Sequence, residues 1–275
     1  MLPLTVEETM QALCLALRLN GSNLVSVYLY GSVALGDYIE GSSDIDFIAV
    51  LKEAPSATGV QSIAAAHEQV ANQFPQIDIM GSYVLESDLY QPDSHIQALL
   101  TYYDKQLHTD GCGSDLNPVT WWIVKHHGIR VYGPVLPLNV EADMRTVVEY
   151  VIQNLNTYWA GWVDRLEHQL ASGNMTDHTD ATAQLDEAVE WCTLGMLRQL
   201  YTIQAHDIKS KIEAGHYGIT IIPPRWHELI YEAIHIKRRQ PERYYHSNEQ
   251  RLTDLVALLR YIQLEANRAY EAFPS

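Results

Sequence analysis

Two aspartates one residue apart, Asp44 and Asp46, follow the pair Gly31-Ser32 after a spacer of ten residues, in the run Gly31-Ser32 … Ser43-Asp44-Ile45-Asp46. In an extended chain the side-chain period is two, so Asp44 and Asp46 point to one face. Two carboxylates on one face suit a hard divalent cation with oxygen ligands, Mg2+ above all. A cation so held bridges triphosphate oxygens and balances charge in an in-line displacement. Gly31 lets the backbone come close to a phosphate, and Ser32 with nearby N–H groups can donate to it. A lone Asp-x-Asp before a strand is ordinarily a solvated turn. The combination of a strand, Gly-Ser, the spacer and Ser-Asp-Ile-Asp entering an apolar strand is much narrower. It is not a Walker loop, since GxxxxGK[ST] is missing.

The elements that must position these groups are of two kinds. Residues 4–19 carry helical apolar spacing through Leu4, Met10, Leu13 and Leu17. Residues 24–30 and 46–51 read as strands flanking the motif, 59–74 as a helix, and 77–85 as a third strand. A helix over 118–127 starts at a proline and is closed by Gly128, followed by a short strand at 129–132. Beyond Pro134 the strand signals stop. Helices are expected over 140–170, 180–206, from Pro223 to about Arg239, and over 247–273, with a loop at 171–178. The expected fold is α+β, with a mixed-sheet domain over 1–138 and an all-α helical bundle over 139–275.

The motif resembles the signature of the polymerase-beta-like nucleotidyltransferase superfamily. That resemblance implies metal binding by Asp44 and Asp46 and triphosphate contacts from Gly31, Ser32 and Ser43. It also implies a third carboxylate from a later strand, which completes the metal site or accepts the proton of the attacking hydroxyl. Asp78 is the candidate, with Glu86 and Asp88 as competitors, and an alternative register puts Met80 where the acid belongs. Beyond the motif, the chain resembles bacterial aminoglycoside adenylyltransferases of the streptomycin/spectinomycin type. The resemblance rests on Asn117-Pro-Val-Thr-Trp121, on His127-Gly-Ile-Arg-Val-Tyr-Gly-Pro134, on the helical second half, and on the spacing of thirteen from Arg198 to Lys211 with Tyr201 between. It implies that Arg198, Tyr201 and Lys211 bind the nucleotide of ATP. The acids and histidine with which that family binds the antibiotic fall here near Gln184, Ala188 and Trp191, so the match at the acceptor is not residue for residue.

On the 180–206 helix, Glu187, Glu190, Trp191, Leu194, Arg198 and Tyr201 share a face opposite the core face of Leu185, Val189, Cys192, Met196, Leu200 and Ile203. Such a face reads either as a solvated surface or as a cleft taking a cationic acceptor on Glu187, Glu190 and Trp191 and a phosphate on Arg198. Trp121 and Trp122 either line the cleft or pack the core. His126 and His127, adjacent on a helix, do not converge on a metal. Lys237-Arg238-Arg239 either reaches a triphosphate or complements a helix C-terminus.

Composition bounds the partners. The formal charge is −16, with 34 acids against 18 bases. Such a surface repels nucleic acid and anionic membranes and attracts small cations. The charge is uneven: residues 1–138 net −10, residues 141–190 net −8, and residues 191–275 net +2. Three scattered cysteines, no signal-like start and no apolar span point to a reduced, cytoplasmic protein. The expected activity is Mg-dependent transfer of AMP from ATP to a hydroxyl of an aminoglycoside-like cationic acceptor, releasing pyrophosphate. Nucleotidyl transfer to a protein or another metabolite, or nucleotide binding without turnover, are the alternatives.

Overall fold

The computed structural model describes residues 2–91, 96–173 and 178–272. The chain divides into two compact units, Met1–Asp143 and Met144–Ser275. The division falls after 143 rather than 138 because residues 139–142 are tied to the first unit. Asn139 N donates to Leu89 O at 2.8 Å, and Val140 is buried.

In the first unit, α1 (Leu4–Leu19) buries Val6, Met10, Leu13 and Leu17, a stripe of 3.6-residue period. Leu4, expected in that stripe, is 68% exposed because it lies off it. Strands β1 (Leu24–Leu29), β2 (Ile45–Leu51), β3 (Ile79–Leu85), β4 (Leu100–Tyr103), β5 (Gln106–His108) and β6 (Ile129–Tyr132) form one sheet in the order β5-β4-β3-β2-β1-β6. Only β2 and β3 pair in parallel among the described strands. A parallel pair needs a crossover, and α3 (Ala57–Gln73), capped by Ser56, supplies it. Two further helices belong to this unit, the single turn α2 (Gly31–Ala34) and α4 (Pro118–His127). Asn117 caps α4 by accepting from the Val119 and Thr120 amides. The β4–β5 hairpin is absent from the sequence reading, and β3 starts at Ile79 rather than 77.

The second unit is helical: α5 (Met144–Asn154), a π-helical turn (Leu155–Trp159), α6 (Ala160–Ala171), α7 (Thr179–Ala205), α8 (Lys211–Ile221), α9 (His227–Lys237) and α10 (Asn248–Glu271). Residues 174–177 of the expected 171–178 loop, and Phe273, lie outside the described residues. A buried ionic network joins three of these helices. Arg251 of α10 meets Asp186 of α7 at 2.6 Å and Glu232 of α9 at 3.0 Å, and Arg243 meets Asp186 at 2.6 Å. Burial raises the Glu232 carboxyl above its ordinary range, while Arg251 opposes that shift.

The π-turn sets Trp159 against α7, where a Cβ on Gly195 would overlap the indole. Trp159 is 4% exposed and its ring is rigid, so it has little room to yield. Gly195→Ala gains about 1 kcal/mol of helix propensity against about 1–3 kcal/mol of overpacking. Because the overlap falls on a rigid buried ring, the overpacking lies toward its upper end, and the expected result is a net loss of about 2 kcal/mol in chemical denaturation. Unchanged or increased stability would contradict this packing.

Candidate active site

The strand–turn–strand passage from β1 through α2 to β2 brings Gly31 and Asp46 into contact. Tyr30 N donates to Asp46 O at 3.1 Å, so the end of β1 and the start of β2 are zipped together at the motif. Gly31 has φ +59°, and a Cβ there would overlap Asp46 Oδ2. The Asp46 carboxylate therefore rests on bare backbone, in a place that a side chain at 31 would fill. The Ser32 hydroxyl is buried with no hydrogen-bond partner, an arrangement that calls for an acceptor. Ser43 Oγ accepts from Ile39 N at 3.2 Å and closes the spacer loop, leaving its own proton to donate. Asp44 is exposed and Asp46 is half-buried.

Tyr30 is buried beneath this turn. Its phenol is pushed well above the ordinary value by burial first, then by the charges of Asp46 and Asp115. Asp115, which the sequence reading passed over, thus shares an electrostatic neighbourhood with Asp46. It accepts from Asn117 Nδ2 at 2.8 Å. Its only local signal was its place just before the Asn117-Pro118 cap.

The β2–β3 register decides between the candidate third carboxylates. Asp46 pairs with Met80, and Leu51 pairs with Leu85. Glu86 and Asp88 follow the far end of β3, about 20 Å along the strand from the level of Asp46 at 3.3 Å per residue. Glu86 is bound there by Lys52 at 2.7 Å and Tyr90 at 2.6 Å. Asp78 lies just outside the ladder, its carbonyl accepting from Ile45 N at 2.9 Å. Its side chain is 65% exposed and 3.6 Å from Lys105. Asp78 and Asp44 both act on Tyr38, whose phenol is raised by burial and then by Glu40, Asp44 and Asp78. Among the described residues no group of three or more His, Cys, Asp or Glu side chains is disposed to hold a metal ion. Met80 takes the position paired with Asp46, and Asp78 lies just ahead of β3, which begins at Ile79. Asp44 and Asp46 alone still fit Mg2+, which commonly takes one or two carboxylates and completes its shell with substrate phosphates and water.

In the second unit, α8 covers the α7 face that the sequence left open. Leu194, on that face, is fully buried, because Gly215 and Gly218 let α8 approach Leu194 and Leu197 closely. Lys211, the first residue of α8, is 2.9 Å from Glu190 and lies 4.3 Å from the centroid of the Trp191 ring. Burial lowers Lys211 to about 8, Glu190 opposes the shift, and Lys237 and Arg198 reinforce it. Arg198, Lys211 and Lys237 therefore form one cationic neighbourhood. Glu190 is paired with Lys211 and little exposed, while Glu187 is exposed and Trp191 is 40% exposed. The Tyr201 hydroxyl donates to Asp207 at 2.9 Å and its ring meets Tyr217 edge-on, bracing the turn into α8. Trp121 is core, and Trp122 stacks on His126 at 4.5 Å. No described helix is long and apolar enough to cross a membrane.

Comparison with known proteins agrees with this arrangement. Residues 15–98 match the nucleotidyltransferase domain, and residues 167–261 match the aminoglycoside adenylyltransferase C-terminal domain. The fold resembles the crystal structure of spectinomycin adenyltransferase AAD(9) from Enterococcus faecialis with ATP and spectinomycin. The TM-score is 0.64 at 17% identity, covering 94% of this chain and 98% of that one, a likeness of fold. No curated protein sequence matches. The chain thus carries a nucleotidyltransferase domain over 15–98 followed in order by the aminoglycoside adenylyltransferase C-terminal domain over 167–261, the make-up of an adenylyltransferase enzyme.

Proposed function

We propose that this enzyme transfers AMP from ATP to a hydroxyl of a cationic aminoglycoside or aminocyclitol, with release of pyrophosphate. The observation that carries the reading is the Asp46 carboxylate resting on Gly31 beside the unpartnered Ser32 hydroxyl. Asp44 and Asp46 would hold Mg2+, which when bound offsets the charge of the triphosphate. Gly31 keeps the approach to the phosphates open, and Ser32 and Ser43 donate to their oxygens. Arg198 and Lys211 of the second unit are proposed as further nucleotide-binding residues. Binding that aligns the acceptor hydroxyl with the α-phosphorus supplies most of the remaining acceleration, since this class of displacement needs little covalent help from the protein.

The acceptor assignment is supported by the match of residues 167–261 to the aminoglycoside adenylyltransferase C-terminal domain, by the ligands of AAD(9), and by the net −8 of residues 141–190. Exposed Glu187 is the acid we assign to the cationic acceptor. The test is pyrophosphate release from ATP across a panel of aminoglycosides against an acceptor-free control. Release that depends on one of them supports the assignment; release independent of all of them points to another acceptor.

Asp78 is proposed as the group that takes the proton from the attacking hydroxyl, because it lies with Asp44 at the site end of the sheet. Asp78→Asn should then lower kcat by about 10²-fold, at the low end for a lost general base, with little change in the KM for ATP. A loss of only a few-fold would send that proton to solvent instead.

A further inference from the structure

We propose that Glu190 and Trp191 are positioning residues for Lys211, holding its ammonium charged and fixed for the triphosphate rather than binding the acceptor. The proposal rests on the reading above that Lys211 serves ATP. The geometry is a closed seam. Lys211 follows the Ser210 cap at the start of α8, with Glu213 completing the capping box. Its ammonium is 2.9 Å from Glu190 and 4.3 Å from the centroid of Trp191, and the Lys211 and Glu190 side chains are only 16% and 17% exposed. An ammonium between a carboxylate and an indole face is gripped from two sides, by an ion pair and by a cation–π contact.

The charges facing Lys211 explain why the pair is needed. From α7 come Glu190 and Arg198, and from α9 comes Lys237. Arg165 of α6 and Lys211 both lower the buried Cys192 thiol against the rise from its burial, while Glu190 raises it. On α8 itself Glu213 is paired with Lys209 at 3.6 Å. Burial disfavours the ammonium most, and Lys237 and Arg198 disfavour it further; Glu190 is the acid that opposes them. Lys211 sits at about 8 with Glu190 in place. Without that carboxylate only the depressing influences remain, and the lysine becomes neutral in the range where the wild type is charged. An anion binding beside Arg198, Lys211 and Lys237 relieves their mutual repulsion, so the site favours phosphate over a polycationic acceptor.

The sign follows. The ammonium is the binding form, so affinity for ATP is present below the lysine's value and lost as pH rises through it. In the wild type the KM for ATP should rise as pH passes about 8. In Glu190→Gln that rise should begin about one pH unit lower, so that the KM is about threefold higher at pH 7.5 and approaches about tenfold higher above pH 9, one unit being a factor of ten. The KM should recover near pH 6, kcat and the acceptor KM should change little, and Glu190→Asp should restore most of the wild-type profile. The chain has six lysines, so 13C-methylation allows the Lys211 titration to be followed by NMR without turnover; it should move down in Glu190→Gln. A raised acceptor KM with an unmoved ATP profile, or an unmoved Lys211 titration, would overturn the proposal. Lys211→Gln separates the two readings. If it leaves the KM for ATP unchanged, the phosphate role of Lys211 fails, while the NMR titration still decides whether Glu190 holds its charge.

Discussion

Asp46→Asn should lower turnover by at least about 10²-fold, the scale on which a preorganised charge at a transferring phosphoryl group acts. The substitution keeps the shape of the side chain and removes only its charge. Asp46 is the second residue of β2 and its backbone carbonyl closes the Tyr30 contact, so the main-chain zipper survives the change. The fold should therefore persist, with a thermal midpoint near that of the parent. Tyr30 beneath it should ionise more readily, because a neighbouring negative charge has gone. Near-normal turnover by a folded Asp46→Asn protein would remove Asp46 from the chemistry. Steady-state kinetics beside a thermal melt are the required measurements.

Gly31→Ala should be as damaging to catalysis, for a steric reason. The new Cβ overlaps Asp46 Oδ2, and φ +59° is a conformation that alanine adopts only under strain. The strain is of order 1–3 kcal/mol, which a protein of ordinary stability survives. The carboxylate cannot keep its place, so turnover should again fall by about 10²-fold. The two variants should not add. Once Asp46 is neutral, displacing it costs little more, and the double variant should be close to the worse single one. Independent, multiplicative losses would mean that Gly31 and Asp46 serve separate purposes.

What was legible in the sequence is what is local. Gly31, Ser32, Asp44 and Asp46 lie on one strand–turn–strand passage whose geometry follows from residue types, and the structure brings Gly31 against Asp46 as that pattern requires. The β2–β3 register is not local. It depends on where α3 ends and how the turn at Phe74–Ile77 releases the chain, and it sets Met80 rather than Asp78 beside Asp46. The β4–β5 hairpin escaped notice because its turn residues, Asp104 and Lys105, take φ +50° and +56° without the Asn-Gly or Asp-Gly pair that usually marks such turns. The first α8 turn carried a readable signal, Ser210 with Glu213 three residues on. Gly215 and Gly218 lower the helix propensity that follows, and only contact with Leu194 and Leu197 explains them. Missing α8 is what made the Glu190–Trp191 face of α7 look open.

The measurement that bears most directly on adenylyl transfer is the fate of labelled phosphorus. The protein is incubated with an aminoglycoside acceptor, Mg2+, and ATP labelled at either the α- or the γ-phosphorus. Attack on the α-phosphorus predicts that the α-label appears on the acceptor and the γ-label leaves as pyrophosphate, with both signals lost in Asp46→Asn. Transfer of the γ-label to the acceptor, or release of both labels with the acceptor unmodified, would contradict it.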